Sequence, residues 1–198
     1  MKKQLSAVVL GIALIGCEEA PQGIAEIDGI AASPESPSSS LGPSAKPMVL
    51  RLKGTDTETI QPVPDPNNLI PGPDVASCYT VDLIDVAQNR RVGTATDCIT
   101  VLGVVGSGVQ VVGTTEFDFG GGHTFTTQGL TSVQPTTHGS PGTTHITGAI
   151  PAPGTNGVIA GTGRFKNFAA EARLSGAVNL SAFPGSGTFD CLFIVTRL

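Results

Sequence analysis

The chain has 198 residues, and its sixteen acidic and eleven basic side chains leave it at −5 near neutrality. That balance speaks against a nucleic-acid partner, which needs a basic stripe to neutralise phosphates. Eight Phe, one Tyr and no Trp are also too few aromatic residues for the interfacial girdles of a membrane-spanning barrel.

The first predicted element is a leader. Met1, Lys2 and Lys3 supply a positive start, Leu5 to Gly16 is an almost unbroken small and apolar run, and Cys17 follows. This is the pattern of a signal peptide over residues 1–16, with an apolar run too short for a permanent membrane span. Leu14-Ile15-Gly16-Cys17 resembles the bacterial lipobox. The resemblance implies a diacylglycerol on the Cys17 sulfur, cleavage before Cys17 and acylation of the new amino group, and two or three acyl chains make a stable anchor. Glu18, standing where Asp would favour inner-membrane retention, implies the outer membrane in a two-membrane cell. The rest of the chain is then expected in the cell envelope, outside the cytoplasm.

Residues 17–76 read as a lipid-anchored, acidic spacer. From Glu18 to Ala76 the chain holds ten of its fifteen prolines, none of its nine Phe and Tyr, and nine acidic against three basic residues. Runs such as Pro62-Val63-Pro64-Asp65-Pro66 favour solvated, polyproline-like chain that cannot build a core. Met48-Val49-Leu50-Arg51-Leu52 is the one stretch there that alternates like a strand.

Residues 77–198 form the predicted domain, 122 residues with nineteen of the twenty-six glycines and all of the aromatic residues, enough for one core. β-Branched residues alternate with polar ones and helical periodicity is nearly absent. Eight strands are predicted, near Cys78–Val86, Val92–Leu102, Val109–Phe119, His123–Val133, Thr143–Ile150, Gly157–Gly161, Glu171–Leu180 and Gly187–Arg197. Gln88-Asn89, Gly120-Gly121-Gly122 and Pro153-Gly154-Thr155-Asn156 supply turns. This spacing points to an all-β sandwich or barrel.

The run Ile159-Ala160-Gly161-Thr162-Gly163-Arg164-Phe165-Lys166-Asn167-Phe168 resembles the glycine-rich signature of allene oxide cyclases and dirigent proteins. Tyr79-Thr80-Val81-Asp82, Gly93-Thr94-Ala95-Thr96-Asp97-Cys98 and Phe117-Asp118-Phe119-Gly120-Gly121-Gly122-His123 precede it in the order that family has. The resemblance implies an eight-stranded antiparallel closed barrel over residues 77–198, with Gly161, Thr162 and Gly163 at a tight strand junction and Phe165 plugging the wall. It also implies a homotrimer. Plant allene oxide cyclases steer epoxide opening with a Glu and an Asn on the first strand, and the matching positions here are Thr80 and Asp82. The resemblance therefore implies the architecture without the cyclase pair.

With Cys17 lipidated, Cys78, Cys98 and Cys191 remain, and three thiols cannot all pair. Cys98 and Cys191 share an Asp-Cys context, which favours a Cys98–Cys191 disulfide. A Cys78–Cys98 pair, or three buried thiols acting as small hydrophobes, are the alternatives. Glu116 and Asp118 alternate with Phe117 and Phe119 and read as solvated. Asp82, Asp97 and Asp190 have apolar or small flanks; any of them facing a lumen would have a raised pKa suited to general acid work. His123, His138 and His145 lack the close spacing of a metal motif, so no metal or other cofactor is expected.

Two functions follow. The barrel binds, and in one version cyclises, a small hydrophobic molecule in its lumen, shape doing most of the work. Alternatively it is a non-catalytic envelope module that contacts a partner or itself.

Overall fold

The structure, a computed structural model, describes residues 46–135, 142–149, 155–182 and 185–198. Ten strands follow in chain order: β1 Met48–Thr57, β2 Thr59–Pro62, β3 Val75–Asp85, β4 Arg90–Val105, β5 Gly108–Asp118, β6 Thr124–Pro135, β7 Thr143–Ala149, β8 Val158–Gly161, β9 Ala170–Ala182 and β10 Ser186–Arg197. A 3-10 turn, Gly163–Phe165, separates β8 from β9. Each of the eight segments predicted from alternation is a strand, β3 to β10. Two of the predicted turns are present as well, with Asn89 at φ +47° and Gly120, Gly121 and Gly122 at +77°, +63° and +78°, backbone that Gly and Asn adopt at least cost. Ile150, Pro153 and Gly154 lie outside the described residues.

Every pairing is antiparallel. The order β1-β10-β9-β7-β6-β5-β4-β3 returns to β1, because Leu50–Lys53 also pair with Asp85–Asp82 of β3. Eight strands therefore form a ring. Its membership differs from expectation: β8 lies off the ring, pairing with Phe125–Thr127 of β6, and β1 takes the eighth place.

The expected spacer over residues 17–76 is accordingly corrected over its second half. From Met48 the chain is part of the fold, ten residues of β1 matching β10 from Val195 to Ser186, with Leu50 and Leu52 at 2 % and 0 % exposure. Burial of two Leu side chains outweighs the weak local preference of a Pro-rich, aromatic-free region. β2 then continues along β3 where β1 leaves it.

One face of each strand fills the ring. Tyr79, Val81 and Leu83 of β3, Val111 and Phe117 of β5, Phe125 of β6 and Phe189, Cys191, Phe193 and Val195 of β10 share this core with Leu50 and Leu52. At one end Phe165 is buried against Phe119 and Phe125, with ring centroids 5.0 Å from each, and the Arg164 guanidinium lies 4.8 Å over its face. The glycines around it are required. A Cβ on Gly161 would stand 2.2 Å from the Phe165 carbonyl oxygen, and one on Gly163, at φ +55°, 2.1 Å from His123 Nδ1.

A second apolar cluster lies on the other face of the sheet. Val63 and Ile70, from the loop between β2 and β3, cover Ala76, Cys78, Cys98 and Val112. Asp65 shapes that loop by accepting from the Leu69 and Ile70 amides at 2.9 and 2.7 Å. Beneath it Cys78 and Cys98 form the disulfide, and Cys191 is a buried free thiol. The expected Cys98–Cys191 bridge is thus wrong, for a reason of facing. Cys78 and Cys98 are directly opposite on β3 and β4 and packed on the outer face, whereas Cys191 belongs to the inner core. Replacing both Cys78 and Cys98 by Ala is expected to lower unfolding stability by about 3 kcal/mol, from the entropy returned to a 20-residue loop. Urea denaturation of both chains measures the difference.

Candidate functional site

The ring interior is not filled everywhere, and the reason is glycine. Gly113 of β5 and Gly129 of β6 are opposite each other, and Gly148 of β7 is opposite Thr131. Three neighbouring strands therefore lack an inward side chain close together, Gly148 standing one inward position along from the Gly113–Gly129 pair. The result is a pocket of about 40 Å³ lined by Gly113, Gly129, Gly148, Ile99, Ile146 and Phe193, room for roughly two or three waters. Leu130, Ala172 and Leu174 flank it and are only half-buried, so it meets the surface on the β6, β7 and β9 side.

Asp97 and Thr115 also line this pocket. Inner-facing positions of adjacent strands pair in series: Tyr79 with Asp97, Asp97 with Thr115, and Thr115 with Thr127. A polar rung thus crosses four strands inside an otherwise apolar ring. Asp97 is 5 % exposed, and Thr115 Oγ1 donates to its Oδ1 at 2.6 Å. Burial pushes its carboxyl up to about 6, partly opposed by that hydrogen bond. The Cys191 thiol is pushed up to about 12, first by burial and then by the Asp97 charge, which places thiol and carboxyl in the same interior. Burial, with the Glu58 charge, raises the Tyr79 phenol to about 12, and its Oη has no hydrogen-bond partner.

No protein-family model matches the chain, and no curated protein is a significant match. The chemistry of the site therefore stands on its residues alone. A buried carboxyl that titrates near neutrality, beside a hydroxyl and an apolar pocket, can donate a proton or hydrogen bond when protonated and accept one when ionised.

The other predicted acids are elsewhere. Asp82 is exposed on the outer face and its Oδ1 lies 2.6 Å from Arg91 Nε. Asp190 is exposed and accepts from Arg51 Nε and Nη2 at 2.6 and 2.5 Å; that guanidinium holds its carboxyl below the usual range. Neither faces the pocket, so both are corrected to solvent-side partners of arginine. Thr80 is likewise exposed, its amide donating to Asp56 Oδ2. Glu116 is exposed and Phe117 buried, as the alternation predicts. His123 Nδ1 accepts from the Arg164 amide, His145 is exposed beside Ser175, and His138 lies outside the described residues. Gly161, Thr162, Gly163 and Phe165 build the end of the ring, Thr162 Oγ1 donating to the Gly122 carbonyl at 2.8 Å, and do not touch the pocket.

The pocket glycines and Thr115 were not singled out from the sequence. Their signal was there, since an isolated Gly inside a strand pattern marks a close approach or a missing side chain.

Proposed function

We propose that the chain is a lipid-anchored bacterial envelope protein whose ring closes as an allene oxide cyclase-like barrel and binds a small, largely apolar molecule with one hydrogen-bonding head against Asp97. The observation that carries this reading is a carboxyl buried at a glycine-lined pocket with a single side-chain hydrogen bond. Such burial costs several kcal/mol relative to a solvated or fully paired group, and strongly perturbed acids in clefts mark functional sites. The modest room beside Asp97 fits a hydroxyl, carbonyl or carboxylic acid head. The apolar body then lies toward Leu130, Ala172 and Leu174. An enzyme of cyclase or isomerase type fits the same arrangement, with Asp97 as the acid and the walls setting the fold of the substrate. The anchor is the lipid on Cys17, the location is the envelope, and a homotrimer follows from the family likeness.

A non-catalytic envelope module is favoured instead by one observation, the aromatic packing of the interior by Phe117, Phe125, Phe189 and Phe193. Calorimetric titration with short-chain 1-alkanols separates the two. Saturable binding, weakened at least about tenfold in Gly113→Leu, is expected for the pocket, a tenfold loss being about 1.4 kcal/mol. Identical titrations for both chains, or none that saturates, would leave the structural module.

A further inference from the structure

Five aliphatic side chains at one end of the molecule are left uncovered. Val104 and Val105, at the tip of the β4–β5 hairpin, are 79 % and 63 % exposed, and Ile60, Val75 and Val101 are 66 %, 41 % and 54 % exposed. Ile60, Val75 and Val101 are continuous in space, and Val104 and Val105 follow Val101 along β4. Ile60 is opposite Ser77, Ser77 is opposite Ile99, and Ile60, Val75, Ile99 and Val101 line one shallow groove. Val101 lies opposite buried Val111 and shares its side of the sheet, yet is more than half exposed, so the packing of the interior stops short of this part of β4. No charge interrupts the hairpin, since the eighteen residues from Cys98 to Thr115 contain no Asp, Glu, Lys or Arg.

We propose that this end of the ring dips its valine tip into a lipid bilayer surface, as a second membrane contact beside the lipid on Cys17. The inference rests on that anchored reading. The 29 positions from Cys17 to Lys46 span at most roughly 100 Å when extended, against about 36 Å for the eleven residues of β3. A tether of that contour length does not dictate which face of the ring meets the membrane, and the choice falls to the surface of the ring. An uncharged aliphatic tip partitions into the acyl boundary at little electrostatic cost. The same patch is poor as a protein interface, because it offers none of the Trp, Tyr or Arg anchors on which such interfaces depend. Strand addition by a second copy at β2 is blunted by the four-residue length of that edge and by Pro62.

The chain has no Trp, so Val104→Trp creates a single reporter at the tip and Leu192→Trp one on the outer wall of β10. Both full-length chains are mixed with phosphatidylcholine vesicles containing brominated lipid, in lipidated form and as Cys17→Ala. Several-fold quenching at position 104, with Leu192→Trp unaffected, is expected whenever the chain is on the vesicle. A lipidated chain resident on vesicles with position 104 unquenched, or quenched no more than position 192, overturns the tip contact and spares the anchor. A Val104→Trp chain with Cys17 intact that is recovered without acyl groups, and whose reporter is still quenched, overturns the anchor and supports the tip. A blue shift at 104 without vesicles, together with dimer in native mass spectrometry, assigns the patch to a second copy and overturns the proposal. A separate Val104→Asp, Val105→Asp chain, substituted where nothing is packed, should lose about tenfold in vesicle flotation in the Cys17→Ala background, and unchanged flotation counts against the inference.

Discussion

A chain that begins at Ser77 is expected to be unfolded and to aggregate, whereas one that begins at Gly42 unfolds as cooperatively as the full chain. The difference is β1, β2 and the loop after them. β1 matches β10 over ten residues and β3 over four, and its removal opens the ring between β10 and β3. Two strands whose flanks are now covered would each present a row of unpaired amides and carbonyls, a ready template for pairing between chains. Leu50 and Leu52 are buried to 2 % and 0 % exposure, and losing the burial of one such Leu costs about 2–5 kcal/mol. Val63 and Ile70, which roof the disulfide, leave as well. Together these losses approach or exceed the roughly 5–15 kcal/mol that hold a domain together. Far-UV circular dichroism and urea melts of the two chains decide it, and a cooperative melt of the Ser77 chain at the full-length midpoint would show β1 to be dispensable.

The parts of this fold that local pattern determines were readable from the residues. Alternation gave β3 to β10, because half-buried strands need apolar side chains at every second position. β1 was harder. Its second half, Lys53 to Thr57, is polar and carries Gly54, so the pattern fades where the pairing with β10 continues. That pairing joins segments about 140 residues apart, and no window along the chain contains both. β8 failed in the opposite sense: its alternation is real, but membership of a ring is decided by which neighbour is free, and β7 had already taken the partner edge of β6 that leads to β9.

The disulfide and the pocket were legible by counting from the turns. A two-stranded hairpin pairs residues equidistant from its turn, and Cys78 and Cys98 each stand ten residues from Gln88, as their observed pairing reflects. Gly113 and Gly129 each stand eight residues from Gly121, and they too are opposite. The shared Asp-Cys context of Cys98 and Cys191 was the weaker guide, since it says nothing about which face a side chain takes. Of the three acids, only Asp97 has the inner parity of Ala95 and Ile99, and that parity follows once Cys98 is known to face outward.

Asp97→Asn is expected to raise stability at pH 8 by about 3 kcal/mol while weakening binding of the proposed ligand. The sign follows from linkage. The carboxyl titrates at 3.8 when solvated and at about 6 in the fold, so between those values the folded chain holds a proton that the unfolded chain has lost. Stability contributed by Asp97 is therefore highest below pH 4, falls as pH rises through 6, and is fully lost above it; 2.2 pH units correspond to about 3 kcal/mol. Asn keeps an acceptor for the Thr115 hydroxyl and carries no charge, so the contribution of position 97 is flat across the same window. Asp190 runs the other way, since its lowered pKa contributes stability above the solvated value that is lost as pH falls through the folded one. It is common to both chains and cancels in their difference. Denaturation of wild type and Asp97→Asn from pH 4 to 8 gives two curves that lie close near pH 4, separate between 4 and 6, and keep a constant gap above it. Parallel curves would mean that Asp97 is solvated, which would remove the physical basis for a site there. If the curves diverge, the wild-type chain gives up stability at neutral pH that one neutral side chain would restore, and keeping the acid at the glycine-lined pocket is then a matter of what it contacts there.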